Sequence, residues 1–242
     1  MTNFIITLAG HSLPISARYA DTARCFPAPD PDAPLAAIPP IALSDADWEE
    51  SLRLGMPDNA HTEYSTLTAN CSDALLAFDC VILHAAALRW QDRAWLIVAP
   101  SGVGKSTQTK TLQELLPGQV TVICGDRPVL ARRGPEIWVH PSPWNGKEDW
   151  HGAEAAPLGG LILLKRGAEN RLYALNEQEA ILPLYAAFIQ TYATTETVAQ
   201  VAAFEDALLR AVPTWLLVSN TVPDSTRCLV DGIFSSSELQ GS

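Results

Sequence analysis

The stretch from Trp95 to Thr107 constrains this chain more than any other. Trp95-Leu96-Ile97-Val98 is a short apolar run of the kind that forms a buried strand. It gives way to Ala99-Pro100-Ser101-Gly102-Val103-Gly104, a loop of small residues. Lys105-Ser106-Thr107 then opens a helix that runs to about Leu116 and stops at Pro117-Gly118. Strand, glycine loop, lysine and hydroxyl, helix is the order of a phosphate-cradling P-loop. Gly102 and Gly104 let the backbone curl so that successive N–H groups point at phosphate oxygens. The helix N-terminus adds partial positive charge at the same place. Ser101, Gly102, Val103, Gly104, Lys105, Ser106 and Thr107 are therefore the expected nucleotide-binding residues. Lys105 would neutralise the outer phosphates, and the Ser106 hydroxyl would ligate Mg²⁺. One departure is visible: the first glycine of the usual pattern is Ala99.

The rest of the composition narrows the choice. The formal charge is −11, which disfavours sequence-independent binding to nucleic acid, where many cations must neutralise phosphates. Only four lysines occur, Lys105, Lys110, Lys147 and Lys165, and two of them lie in or just after the P-loop. Five cysteines without a C-x-x-C pair read as free thiols in a reducing compartment, neither a disulfide framework nor a zinc site. No apolar run approaches the roughly 18 residues that span a bilayer, and the first basic residue is Arg18. The expectation is a cytoplasmic protein without a membrane or nucleic-acid partner.

Taken in order, residues 1–68 read as a small α+β region. Strands are expected at Phe4–Leu8, Pro14–Tyr19 and Ile41–Leu43, and a helix capped by Ser44. His11 and His61 fall here and have no ligand-spaced partner. Residues 69–242 form the larger region. A short helix over Ser72–Asp79 precedes a strand from Val81 to Trp90, which turns at Gln91–Arg93 into the strand that feeds the P-loop. That hairpin places His84 close to the phosphate loop. Val120–Cys124 is a buried strand tipped by Gly125-Asp126-Arg127-Pro128, and an acidic residue at such a tip suits Mg²⁺ or a nucleophilic hydroxyl. A second hairpin follows over residues 129–140, so the sheet is mixed. The loop from Pro141 to His151 sets Lys147 among aromatics. Leu158–Leu164 reads as a strand with Arg171–Leu175 as its hairpin partner. Helical spacing covers Glu177–Tyr192 and Thr195–Val212, Trp215–Val218 is a last strand, and a closing helix spans 224–234.

His84 with the three alanines after it, the hairpin, Pro100 to Thr107, the helix, the strand and Asp126-Arg127 together resemble the kinase core of HPr kinase/phosphorylase. They also resemble the wider group that shares the nucleotide-binding domain of ATP-dependent phosphoenolpyruvate carboxykinase. The uncharacterised HPr-kinase-like branch is most similar, through its strand histidine, aspartate-arginine-proline tip and a loop like Pro143-Trp144-Asn145-Gly146-Lys147. The resemblance covers Ser72 to Leu164 and does not extend to residues 1–68. It implies an α/β P-loop kinase core, ATP and Mg²⁺, and phosphorylation of a serine hydroxyl. It also implies a ring-like homo-oligomer. Asp126 matches one member of the family's aspartate pair. The other is absent, falling at Gly125 or, with a one-residue slip, at Arg127.

The mechanism expected is in-line transfer of the γ-phosphate to a hydroxyl, with Mg²⁺ on Ser106 and Asp126. Asp126, oriented by His84, takes the proton, and Lys147 or Arg127 stabilises charge on the moving phosphoryl group. A serine of a protein or biosynthetic precursor peptide and a small hydroxylated metabolite both fit as acceptors. A nucleotide-binding module without catalysis is the reading that the lost aspartate favours. A GTPase switch is disfavoured because the chain contains no Asn-Lys-x-Asp guanine motif.

Overall fold

The computed structural model describes residues 1–148, 150, 152, 154–191 and 194–234. The chain opens with a hairpin of β1 (Thr2–Leu8) and β2 (His11–Ala17), turned by Ala9 and Gly10 at positive φ. Helices α1 (Asp45–Arg53) and α2 (Ala60–Leu75) follow. Ser44 and Asp47 close a reciprocal capping box on α1, and the Asn59 side chain caps α2. Next come β3 (Cys80–Leu83), β4 (Ala85–Trp90), β5 (Arg93–Val98), α3 (Lys105–Leu115), β6 (Thr121–Cys124), β7 (Val129–Arg133) and β8 (Glu136–His140). The chain ends through β9 (Ala156–Arg166), β10 (Arg171–Leu175), α4 (Glu177–Tyr185), β11 (Phe188–Ile189), α5 (Thr195–Ala211), β12 (Thr214–Ser219) and α6 (Val222–Leu229).

The fold is a mixed α/β one built on a large, mixed sheet. Its first half runs β11-β3-β7-β8, all antiparallel. Its second half runs β10-β12-β9-β5-β4-β6, with β9 parallel to both β5 and β12. The start of β9 pairs with β8 and so joins the halves. The hairpin of β4 and β5 closes through Gln91 and Asp92, both in the left-handed region, which is the backbone a tight two-residue hairpin needs.

Several expected elements are reshaped. The strand expected over Val81–Trp90 is broken at His84: β3 belongs to one half of the sheet and β4 to the other. The short helix expected at Ser72 is the end of α2 followed by a single helical turn over Leu76–Phe78. Ile41 makes only an isolated bridge to Ile15. The strand Arg171–Leu175 is not the partner of β9. It pairs with β12, which lies between them and competes successfully because its parallel register with β9 extends over six residues. The helix expected from Glu177 stops at Tyr185, and β11 follows at once. Its expected end at Tyr192 lies outside the described residues, as do Asp149 and His151 of the aromatic loop.

Residues 1–68 pack against the first half of the sheet. Helix α2 runs through position 68, and Leu67, Cys71 and Leu75 share one apolar cluster with Ile6, Leu13 and Trp48 on one side and Ile82, Val129 and Trp144 on the other. Glu63 of α2, almost fully buried, ties this region together. Its carboxylate accepts from the backbone N–H of Arg18 at 2.7 Å and of Tyr19 at 3.1 Å, and from Thr22 Oγ1 at 2.6 Å. Among the described residues no helix is long and apolar enough to cross a membrane.

Candidate functional site

The site lies where the chain crosses between the two halves of the sheet. One crossing is His84, between β3 and β4. The other is Gly125–Pro128, between β6 and β7. The two links bond to each other: Leu83 N–H donates to Pro128 O at 3.2 Å, and Ala85 N–H donates to Asp126 O at 2.9 Å. This pairing sets His84 opposite Asp126, with His84 Nε2 3.2 Å from Asp126 Oδ1.

The glycine turn comes up from below. Gly102 has φ +77° and Gly104, which caps α3, φ +126°, so both positions need glycine. Ala99 is not among the residues at positive φ, and its methyl is buried in an apolar cluster with Ile97 and Leu112. Replacing the first glycine of the pattern therefore places no strain on the backbone. The Lys105 side chain folds inward, with Nζ 2.9 Å from Ala99 O and 2.9 Å from His84 Nε2. Lysine, histidine and aspartate thus form a continuous chain of contacts. Burial holds the Lys105 ammonium below its usual pKa, against the pull of Asp126. Burial also works to raise Asp126, but the His84 hydrogen bond and the charges of His84, Arg127 and Lys105 outweigh it, and the carboxyl lies below its ordinary value.

A cavity of about 460 Å³ opens over this chain. It is lined by His84, Ser101, Gly102, Gly104, Lys105, Ser106 and Thr107 below and by Gly125, Asp126, Arg127, Gly146 and Lys147 above. Val103 does not line it, being half-buried against the apolar cluster. Lys147 is exposed at the rim. Arg127 is turned away from the glycine turn. Its Nη1 donates to Ser65 O at 3.2 Å and to Thr68 Oγ1 at 2.7 Å, both on α2, while its Nε lies 3.4 Å from Asp126 Oδ2. It braces the aspartate against the N-terminal region.

The aromatic loop forms the roof. Trp144 is buried, stacks on Tyr64 and donates from Nε1 to Tyr64 O at 2.9 Å; Tyr64 Oη donates to Pro143 O. Gly146, at φ +73°, lies against Asp126: a Cβ there would stand 3.0 Å from Asp126 Cβ. Lys110 of α3 pairs with Glu148 at 2.6 Å and holds the roof to the helix below. Two features here were not anticipated. Arg166, at the end of β9, donates to Gly102 O at 2.8 Å and stiffens the glycine turn from outside. The Arg127 brace also needs α2, which is sixty residues away in sequence and gives no local signal.

The lost aspartate has a geometric counterpart. A Cβ on Gly125 would stand 2.4 Å from the carbonyl oxygen of Asn145, so no side chain fits there. Among the described residues no group of three or more His, Cys, Asp or Glu side chains is placed to hold a metal ion. Ser106 and Asp126 do face one cavity, and one hydroxyl with one carboxylate, completed by phosphate and water, is a donor set that suits Mg²⁺.

No family model matches this chain, and no curated protein matches it. Among solved structures it is similar to the Hpr(Ser) kinase/phosphatase from Coxiella burnetii, at 12% sequence identity and a TM-score of 0.36, over 64% of this chain and 97% of that one. At that distance nothing of the enzyme's chemistry is carried across, and the site stands on its own geometry.

Proposed function

We propose that this chain is an ATP-dependent phosphotransferase that moves the γ-phosphate to a hydroxyl, most reasonably a serine of a protein or of a biosynthetic precursor peptide. The observation that carries this reading is the run Lys105–His84–Asp126, with contacts of 2.9 and 3.2 Å, at the mouth of the glycine turn. Backbone N–H groups of residues 101–107 cradle the phosphates, and Lys105 leaves Ala99 O to meet them. Ser106 and Asp126 would hold Mg²⁺, which neutralises phosphate charge when bound. Asp126 is ionised at neutral pH and lies beside His84, which fixes its orientation. It takes the proton as the acceptor's O–H bond breaks. The new O–P bond forms while the bond from γ-phosphorus to its bridging oxygen breaks, and ADP departs with that electron pair. Lys147 at the rim supplies charge to the transferring group.

A second reading, a nucleotide-binding module without catalysis, is favoured by the closed position at Gly125. One experiment separates the two. Thermal unfolding is followed with and without Mg·ATP for the wild type, Lys105→Ala and Asp126→Asn. A ligand at about a hundred times its Kd stabilises by about 2.7 kcal/mol, or roughly 5–10 °C for a chain of this size. The wild type and Asp126→Asn should shift and Lys105→Ala should not. Label from γ-phosphate should reach an acceptor with the wild type alone. Equal turnover by Asp126→Asn would remove the base assignment, and no shift with any nucleotide would remove the whole reading.

A further inference from the structure

Lysine, histidine and aspartate meet at a single atom. His84 Nε2 lies 2.9 Å from Lys105 Nζ and 3.2 Å from Asp126 Oδ1. An ammonium only donates and a carboxylate only accepts, whereas one ring nitrogen carries either a lone pair or a hydrogen. Nε2 therefore accepts from Lys105 or donates to Asp126, and it cannot do both at once. The two hydrogen bonds compete for one position.

Three observations say how the competition is decided. The first is that His84 is fixed between its rivals. Its backbone N–H donates to Ala187 O at 2.8 Å, and the N–H groups of Leu83 and Ala85 on either side bond to Pro128 O and Asp126 O. The second is that Asp126 depends on this ring. Its Oδ2 faces Arg127 Nε at 3.4 Å, and among the described residues the donor that faces Oδ1 is His84. Lys105 and Asp126 form no ion pair of their own among the described residues, so the ring is what links them. The third is that Lys105 has a better partner within reach. It lines one cavity with Ser101, Gly102, Gly104 and Ser106. A phosphate oxygen held there is charged, and it is a stronger acceptor for an ammonium than a neutral imidazole nitrogen. The His84 side chain is 27% exposed and lines the same cavity, so its two nitrogens can exchange protons with water.

Resting on the phosphotransferase reading, we infer that His84 is a positioning residue that orients Asp126 only once a nucleotide phosphate has drawn Lys105 away. While Lys105 donates to Nε2, the ring hydrogen sits on Nδ1, and Asp126 Oδ1 receives nothing from the ring. When phosphate takes the Lys105 ammonium, Nε2 gains a proton from water and Nδ1 gives one back. The ring is neutral before and after, and the protons balance. Nε2–H then donates to Oδ1, while Arg127 remains at Oδ2, and the carboxylate is held in one orientation for the acceptor's O–H. Nucleotide binding and alignment of the base are in this way one event, and nucleotide precedes the acceptor in productive turnover.

The test uses the full chain, isotopically labelled at the histidine ring nitrogens, at about pH 8. The His84 signals are those lost in His84→Leu, and the nitrogen chemical shift tells a lone pair on Nε2 from an N–H. The wild type alone should show a lone pair on Nε2, and Mg²⁺ with a non-hydrolysable ATP analogue should convert it to N–H. Lys105→Met, which removes the competing donor, should show N–H with no nucleotide added. His84→Leu frees Lys105 and leaves Oδ1 unheld, so its KM for ATP should be no higher than that of the wild type while kcat falls about tenfold. An N–H on Nε2 in the wild type without nucleotide, a lone pair that persists in Lys105→Met, or a ring protonated on both nitrogens throughout overturns the inference. So does a nucleotide that raises Tm and leaves the ring unchanged, or a His84→Leu that loses ATP affinity and keeps kcat. If Lys105→Met shows the expected N–H but no nucleotide alters the wild type's ring or its Tm, the competition at Nε2 stands and the phosphotransferase reading falls.

Discussion

The carbonyl oxygen of Asn145 occupies the place where a Cβ on Gly125 would have to stand, at a separation of 2.4 Å. The neighbouring residue, Asp126, therefore supplies the tip's only carboxylate, and the roof loop has closed over the position beside it. Restoring a second acid by substitution cannot succeed without moving that loop. Gly125→Asp should lose about 2–3 kcal/mol by overpacking against backbone and gain nothing in phosphoryl transfer. Urea unfolding together with a turnover assay checks both halves; a stable variant with raised turnover would show that the roof yields readily.

Arg127 offers a second prediction, because its position argues for bracing the tip over touching phosphate. Thr68 Oγ1 accepts from its Nη1 at 2.7 Å and donates to Ser65 O at the same distance. Thr68→Val removes the acceptor and keeps the shape. It should cost about 1–2 kcal/mol and lower turnover about tenfold, while the Mg·ATP-induced rise in Tm stays as in the wild type. Arg127→Lys keeps the charge and loses the forked geometry, and it should fall with Thr68→Val. If Arg127→Lys were fully active, charge alone would be its contribution.

What could be read from the sequence was local. The strand, the glycine turn and α3 are contiguous, so Val98, Gly102, Gly104 and Lys105 announce themselves. The β4–β5 hairpin is likewise set by a two-residue turn. His84 was placed near the glycine turn by that hairpin, yet the break it makes in the strand was hidden, because apolar residues continue on both sides of it, Val81 to Leu83 and Ala85 to Leu88, and a crossing between sheet halves has no pattern of its own. β11 was concealed in the same way, since Ala186-Ala187-Phe188-Ile189 continues the apolar spacing of α4. The partners of Arg127 and Arg166, and the insertion of β12 between β9 and β10, depend on contacts between distant parts of the chain. No spacing rule reaches them.

Glu63 shows how residues 1–68 are fastened. Three donors from Arg18, Tyr19 and Thr22 converge on a carboxylate that is 1% exposed. Glu63→Ala removes the side-chain acceptor that Arg18 N–H and Tyr19 N–H share and leaves Thr22 Oγ1 only its longer contact to Ala60 O at 3.5 Å. A loss of about 3 kcal/mol is expected, or roughly 6–12 °C in Tm. Glu63→Gln, which retains an acceptor for at least one donor, should lose less. Because α2 also carries the Arg127 brace, Glu63→Ala should, on the proposed phosphotransferase reading, lower turnover more than ATP binding, which that reading assigns to the glycine turn. Equal loss of both would mean that the region is not fastened independently of the glycine turn.

Glu205 gives the last prediction, a pH dependence. It lies on α5 among Val201, Phe204 and Leu208, is 4% exposed, and its Oε1 has no hydrogen-bond partner among the described residues. Burial pushes its carboxyl up to about 7, only partly offset by a backbone hydrogen bond at Tyr185. The sign follows from proton counting. Below the unfolded value near 4.5 the group is protonated in both states and contributes no difference. Between there and about 7 the unfolded chain releases the proton while the folded one retains it, so stability falls as pH rises. Above that range the loss is complete and levels off. Glu205→Gln is neutral at every pH and nearly isosteric, so it should match the wild type near pH 4.5 and exceed it at pH 8, by about 1–2 kcal/mol. Tm measured for both proteins across this range decides the matter: parallel curves would mean that Glu205 is ionised in the folded state after all.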